Sequence, residues 1–209
     1  MRIGVIGAGR IGGNAARLFA KAGHEVLVSF SRDQAKLEAL AAEIGGRAGT
    51  PREAVQFGEV VMLSVSWTLI DDVLADAGPF DGKVVIDTTN QFGRDGWEDL
   101  GGRTAAQVNA ARMPGARYTK AFNTLTSGFQ AEAAGRTGAD RVVMFLCGDD
   151  EEAKRIVTGL IDDAGFTPVD MGGIADAAPM EAPRRDGAVY GEEVHEQEAR
   201  ELVARLHSA

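Results

Sequence analysis

A doubly wound α/β fold, with a mostly parallel sheet and helices on both faces, is what this sequence predicts, and three observations predict it. Short apolar bursts alternate along the chain with stretches of helical composition, the pattern of strands buried on both faces and joined by crossover helices. The first burst, Ile3, Val5 and Ile6, runs directly into Gly7-Ala8-Gly9-Arg10-Ile11-Gly12 and then into a helix-forming stretch, Asn14 to Lys21. At 209 residues the chain has enough length for one such unit. We expect a single domain over residues 1–209, with a core over 1–170 and a loop plus C-terminal helix over 171–209.

In chain order, the apolar bursts place strands at Arg2 to Ile6, Glu25 to Ser29, near Arg47, and at Val60 to Ser64, Lys83 to Asp87, Arg117 to Ala121, Val142 to Cys147 and Thr167 to Asp170. Helices fit Arg10 to Ala22, Asp33 to Ile44, Pro51 to Phe57, Trp67 to Ala77, Thr104 to Ala111, Glu151 to Ala164 and Glu192 to Leu206. Asp33 reads as the cap of its helix, with Ser31 as the alternative. The helix after Asp149-Asp150 carries acids in its first turn, which its macrodipole favours. Two stretches read as long loops: Asn90 to Gly102, rich in glycine, and Gly172 to Gly191, with Pro179, Pro183 and Arg184-Arg185. In open α/β sheets ligands sit outside the carboxyl ends of the strands, so loops following those ends are where substrate contacts are sought.

The glycine turn is the most informative motif. Gly7 allows the tight turn, Gly9 lets backbone approach a pyrophosphate, and Gly12 lets the helix sit close on the strand. The helix start then presents free N–H groups to phosphates. Strand, glycine turn and helix in that order indicate a Rossmann-like dinucleotide site. At the end of the second strand, where an NAD site normally carries an acid, stand Ser29, Ser31 and Arg32. Hydroxyls and a guanidinium suit a 2′-phosphate, so NADP (NADPH) is favoured. Asp33 leaves the NAD alternative open, as the missing acid displaced by a residue or two.

The formal charge of −9 and sequence pI near 4.9 argue against nucleic-acid and anionic-membrane partners. The single cysteine, Cys147, excludes an intrachain disulfide and reads as a small buried residue. No apolar run is long enough to span a bilayer, and the chain starts on its first strand, so the expected location is cytoplasmic.

Candidate chemistry lies at three further strand ends. Leu63-Ser64-Val65-Ser66-Trp67 and Asp87-Thr88-Thr89-Asn90-Gln91 would flank the nicotinamide half of a dinucleotide. Thr88, Thr89 and Asn90 serve either ring contact or turn chemistry, and Trp67 either stacks on a ligand or covers the sheet. At Tyr118-Thr119-Lys120-Ala121-Phe122-Asn123-Thr124, Lys120 sits either at a wet edge or against an anionic ligand, because a buried lysine is costly unless paired. Asn123 joins Trp67 and Lys120 as a candidate substrate-pocket residue. His24, His195 and His207 read as solvated or structural. No metal-ligand cluster, Ser-His-Asp set or Cys-x-x-Cys pair is present. A cofactor site without an acid-base machine suits hydride exchange between two redox cofactors, which demands mainly stacked, dry geometry.

These motifs together resemble the F420-dependent NADP oxidoreductase family, small enzymes that pass a hydride between NADPH and the deazaflavin coenzyme F420. The resemblance rests on the glycine turn, Ser31-Arg32, Leu63-Ser64-Val65-Ser66-Trp67, Val85-Ile86-Asp87-Thr88-Thr89-Asn90, Lys120-Ala121-Phe122-Asn123-Thr124 and Cys147-Gly148-Asp149-Asp150, across about the first 170 residues. The same fold is similar to the cytosolic reductase domain of membrane ferric reductases, which use NADPH and a flavin. The resemblance implies that Arg10, Ile11, Ser31 and Arg32 bind the pyrophosphate and 2′-phosphate, and that Ser64, Val65, Ser66 and Trp67 line the nicotinamide. It also implies F420 or a flavin as co-substrate, whose anionic tail would call on Lys120, Arg184 and Arg185, although the last two read equally as a solvated loop. The chain departs from the family pattern after Pro179, where a charged helix replaces an apolar one.

The expectation is an NADPH-dependent oxidoreductase transferring hydride to a flavin-like or deazaflavin acceptor. Two alternatives stay open: an NADPH-dependent reductase of a small carbonyl, imine or quinone, with Tyr190 as proton donor, and a non-catalytic NADPH-binding redox sensor. The sequence offers no tail or exposed apolar helix for a protein partner, which weighs against the sensor. The last helix, through Val194, Leu202, Val203 and Leu206, either forms a homodimer contact or packs on the sheet.

Overall fold

The computed structural model describes residues 1–206; His207 lies outside them. Its centre is an eight-stranded sheet in the order β10-β9-β8-β5-β4-β1-β2-β3. These strands are β1 (Arg2–Ile6), β2 (Glu25–Ser29), β3 (Arg47–Gly49), β4 (Val60–Leu63), β5 (Val84–Asp87), β8 (Arg117–Ala121), β9 (Val143–Gly148) and β10 (Thr167–Asp170). The six strands from β3 to β8 are mutually parallel, and the order reverses between β1 and β4. That reversal opens a crevice at the carboxyl edge of the sheet, the usual ligand position in this architecture.

Side chains alternate between two apolar layers. Val142, Met144 and Leu146 join one core with Ile3, Val5 and Phe19. Val143, Phe145 and Cys147 join the other with Ile6, Val61 and Val85. The helices α1 (Arg10–Lys21), α2 (Gln34–Glu43), α3 (Pro51–Phe57), α4 (Ile70–Ala77), α5 (Ala105–Arg112), α6 (Ser127–Ala133), α7 (Glu151–Asp163) and α8 (Glu196–Leu206) supply the layers that cover the two faces.

Five features depart from the sequence reading, one of them the additional helix α6. β9 runs antiparallel to β8, with Ala121 opposite Leu146 and Thr119 opposite Gly148; an apolar run buried on both faces has the same composition in either direction. The expected glycine-rich loop holds a two-stranded hairpin, β6 (Phe92–Gly93) and β7 (Gly96–Trp97). Residues Ile174–Met180 coil into a 3₁₀ turn despite Pro179. The last helix starts at Glu196 and not at Glu192, because Val194 accepts from Val143 N–H and His195 bridges Val142, which holds both extended.

Candidate cofactor site

Five strand ends converge on the crevice. After β1, the glycine turn crosses the end of β2, with Gly7 N–H donating to Ser29 O at 2.9 Å and Ala8 N–H to Phe30 O at 3.2 Å. Gly7 has φ +106°, and a Cβ there would lie 2.2 Å from Ser64 O. Only glycine fits such a turn. A Cβ on Gly12 would lie 2.1 Å from Gly7 O and 3.0 Å from the Ser64 side chain, so α1 can approach β1 and β4 only without one. The side of Gly9 where a Cβ would stand is open for 4 Å.

The start of α1 is built differently from the other helix starts around it. α2, α3, α5, α6 and α7 are each capped by a side-chain oxygen, from Asp33, Thr50, Thr104, Thr126 and Asp150. α1 starts at Gly9 with no side-chain cap and no acid in its first turn. The first N–H groups of α1, those of Arg10, Ile11 and Gly12, therefore have neither an intrahelical acceptor nor a side-chain cap, and helix polarity there favours an anion. These residues fit the diphosphate of a dinucleotide.

At the end of β2 the candidates divide. Ser29 is fully buried and its hydroxyl donates inward to Val5 O at 3.2 Å, so the expectation of Ser29 as a phosphate ligand is corrected. Arg32 is exposed, and Ser31 Oγ accepts from Asp33 N–H at 3.1 Å. Asp33 accepts from Lys36 N–H as the cap of α2, so the carboxylate that could have marked an NAD site is committed to the helix. Phe30, between these groups, has φ 57°, a strained value for a residue with a side chain.

At the end of β4, Ser64 N–H donates to Ile6 O at 2.8 Å, and Ser64, Val65 and Ser66 line the edge in partly or fully exposed positions. Trp67 is only 5% exposed. Its indole N–H donates to Glu98 Oε2 at 2.8 Å and the Arg112 guanidinium lies 4.8 Å from its ring centre, so it covers the sheet. At the end of β5, Thr89 and Asn90 do turn and bridging work. Thr89 N–H donates to Asp87 Oδ1 at 2.8 Å, and Asn90 Nδ2 donates to Asn123 O at 3.0 Å while its Oδ1 accepts from Asn123 Nδ2 at 3.2 Å. Asn90 is therefore corrected from cofactor ligand to a stitch between two strand ends, and Thr88 remains the candidate on this tip.

Lys120 lies at neither a wet edge nor a ligand surface. It is fully buried, its Nζ donating to Thr89 O at 2.6 Å and lying 3.5 Å from Asp87 Oδ2 and 3.6 Å from Glu181 Oε1. Asp87 also accepts from the Tyr118 hydroxyl at 2.5 Å and from Asn109 Nδ2 at 2.8 Å. Glu181 accepts from the Ala105 and Ala106 N–H groups at the start of α5, at 2.7 and 2.8 Å. Burial, together with the neighbouring Asp87 charge, holds the Tyr118 phenol well above its ordinary range, and burial pushes the Cys147 thiol up to about 12.

This cluster fastens residues 174–191 across the ends of β5 and β8. Asn123 Nδ2 donates to Met180 O at 2.7 Å, Gln91 Nε2 to Ala182 O at 2.9 Å and Gly191 N–H to Thr124 O at 2.8 Å. Along that seam Gln91 Oε1, Asn123 Oδ1 and Thr124 Oγ1 are buried without a hydrogen-bond partner. Tyr190 is half-buried beside it, and desolvation raises its phenol above the ordinary value. Arg184 pairs with Glu192, while Arg185 donates to Ala178 O and Glu181 O, so neither is a free cation. Glu181 and Asn109 gave no sequence signal, since their role depends on contacts far apart in the chain; Gln91 was read only as part of the β5 strand end.

Elsewhere, His24 pairs with Asp163 at 2.9 Å and His195 contacts Arg141 O at 3.2 Å, both structural positions. Val194 is buried, and Leu202, Val203 and Leu206 are half-buried against the protein's own core, the packing that the sequence reading gave as one of its two alternatives. A cavity of about 550 Å³ beside Arg141, Thr167, His195 and Arg200 contains no candidate residue, and its arginines already pair with Asp162 and Glu196. Among the described residues no group of three or more His, Cys, Asp or Glu side chains could hold a metal ion. None of their helices is long and apolar enough to cross a membrane.

Comparison with known proteins matches these features. Residues 2–91, which contain the glycine turn, Ser31-Arg32 and the ends of β4 and β5, match the family described as NADP oxidoreductase coenzyme F420-dependent. The chain is similar to the metalloreductase STEAP3 of Rattus norvegicus, 28% identical over 181 residues that make up 87% of this chain but 36% of that protein's length. It is similar in structure to the hypothetical protein SMa0349 from Sinorhizobium meliloti, with a TM-score of 0.82 and 31% identity, covering 94% of this chain and 95% of that one. A putative F420 dependent NADP-reductase from Arthrobacter sp. FB24 shares the fold, with a TM-score of 0.73 and 22% identity over 85% of this chain and 87% of that one. The likeness to the NADP oxidoreductase coenzyme F420-dependent family is thus carried by residues 2–91, less than half of the chain, and the cofactor-site motifs lie within them.

Proposed function

We propose that the protein transfers a hydride between NADPH and a flavin-like or deazaflavin acceptor such as F420. The observation that carries this reading is the uncapped start of α1 beneath a glycine turn with open space at Gly9, beside the Ser31-Arg32 pair. When bound, NADPH supplies the hydride from its nicotinamide ring. The chain's own residues do the positioning. The Gly7–Gly12 turn and the N–H groups of Arg10 and Ile11 hold the diphosphate, and Arg32 with Ser31 holds the 2′-phosphate by charge-assisted hydrogen bonds. Ser64, Val65, Ser66 and Thr88 line the nicotinamide end, and buried Trp67 closes water out behind them.

Lys120, Asp87 and Glu181, at the ends of β5 and β8 and in the segment across them, are sealed against one another and do not face a substrate as acid or base. That suits a reaction between two stacked rings, where alignment and dryness supply most of the rate. The test is oxidation of NADPH by the purified protein, followed at the nicotinamide absorbance band, with F420, FMN, FAD and a quinone in parallel. Turnover with a flavin-like or deazaflavin acceptor is the expected result. Tight NADPH binding without turnover on any acceptor refutes the reading.

A further inference from the structure

Among the described residues, the large apolar side chains left exposed are Met1, Phe92 and Trp97, and the last two stand together. They face each other across the hairpin, Phe92 opposite Trp97 in the β6–β7 register, at 50% and 55% exposure. Directly opposed residues of an antiparallel pair project from the same face, so the two rings form one apolar surface. A hairpin of four paired residues does not need two half-exposed aromatic rings to fold, and an exposed apolar surface of this kind marks a contact site.

The hairpin's place is fixed by the site. It begins five residues after β5 ends. Its returning arm is tied down by Glu98, whose N–H donates to Gln91 O at 2.8 Å and whose carboxylate accepts from the Trp67 indole. A cavity of about 460 Å³ lies between Thr68 and the hairpin residues Gly93 to Glu98, Trp97 among them. Thr68 is two residues beyond Ser66 on the edge that lines the nicotinamide end. The volume suits a small planar ligand. The charges around it are Arg94, Asp95 and Glu98, with Glu98 already bonded to Trp67, so the lining has no net positive charge to select an anion. Recognition there depends on the ring itself.

We propose that the β6–β7 hairpin is the outer wall of the acceptor site, with Trp97 stacking against a planar redox ring in the cavity it shares with Thr68 and Phe92, outside that lining, extending the apolar surface beside Trp97. This rests on the hydride-transfer reading above and names the part of the chain that selects the acceptor. A wall that offers a stacking indole and no net positive clamp admits flat heteroaromatic rings whatever tail they carry.

The test uses the full chain loaded with NADP⁺ and titrates riboflavin, FMN and F420, each followed by quenching of its own ring fluorescence. The wild-type protein is expected to quench saturably, with riboflavin and FMN bound within about threefold of each other because the phosphate adds little. The double variant Phe92→Ser/Trp97→Ser is expected to weaken ring binding by about tenfold or more while NADPH affinity stays unchanged. Both residues are exposed, so the variant keeps its fold, which circular dichroism checks. Ring binding by the variant equal to that of the wild type overturns the hairpin proposal and leaves the hydride-transfer reading standing. Loss of concentration-dependent self-association in the variant, with ring binding intact, also overturns it by assigning the surface to a second copy of the chain. A wild-type protein that binds none of the three rings and turns over none of them overturns both.

Discussion

Replacing Lys120 by methionine tests the buried cluster that holds the ends of β5 and β8 under residues 174–191. Methionine keeps the length and apolar volume of the stem and deletes the charge. The Nζ hydrogen bond to Thr89 O at 2.6 Å is lost, worth about 1.5–3 kcal/mol for a charged donor. Asp87 and Glu181, 0% and 2% exposed, are left as like charges without a cation between them. Breaking a buried pair from one side costs about 3–5 kcal/mol. Here the remaining donors soften the loss. Asp87 keeps Tyr118 and Asn109, and Glu181 keeps the Ala105 and Ala106 N–H groups. The expected cost is therefore near the lower bound, about 3 kcal/mol, read from urea unfolding monitored by circular dichroism. Adding Glu181→Gln to Lys120→Met neutralises one orphaned carboxylate, so the double variant should lose at least about 1 kcal/mol less than the sum of the single losses. A single-variant loss under about 1 kcal/mol, or strict additivity, would refute the view that the cluster is a coupled latch.

Three further outcomes follow from the geometry. Gly12→Ala forces a methyl group against Gly7 O and the Ser64 side chain, so it should cost about 1–3 kcal/mol in stability and weaken NADPH binding by at least tenfold, both measurable on one preparation by denaturation and calorimetry. Cys147, fully buried with its thiol pushed up to about 12, should stay unmodified by an aromatic disulfide reagent at pH 8 and react only on unfolding; fast modification of the native protein would contradict its placement. The Arg117 guanidinium and the Ala153 N–H hold the Asp150 carboxyl well below the ordinary carboxylate range, so its folded-state stabilisation is present at neutral pH and is lost as the pH falls through the depressed value. Asp150→Asn should accordingly be less stable than wild type at pH 7, with the gap narrowing in acid, and a gap constant with pH would count against the pairing.

The strands and most helices were legible because each announces itself locally. β1, β2, β8 and β10 fall where the apolar bursts place them, and the cap at Asp33 was readable from one residue and the helical pattern after it. What stayed hidden depends on partners distant in sequence. β9's direction is decided by the path of residues 122–142, not by its own composition. α6 opens on Ser127-Gly128, which reads as a turn unless Thr126 is recognised as its cap. The inward turn of Ser29 and the sealing of Lys120 by Glu181, 61 positions later, are products of tertiary packing alone. In the candidate site the glycine turn and the Ser31-Arg32 pair were visible from spacing, whereas the hairpin with Phe92 and Trp97 lay inside what composition presents as a glycine-rich loop.

The claim on which the account turns is that NADPH is held at the start of α1 with its 2′-phosphate on Arg32. Isothermal titration of NADPH and NADH into the wild-type protein and into Arg32→Ala measures it directly. The account predicts NADPH binding at least tenfold tighter than NADH in the wild type and a loss of about 1.5–3 kcal/mol for NADPH alone in the variant. Equal losses for the two coenzymes, or no heat with either, would contradict it.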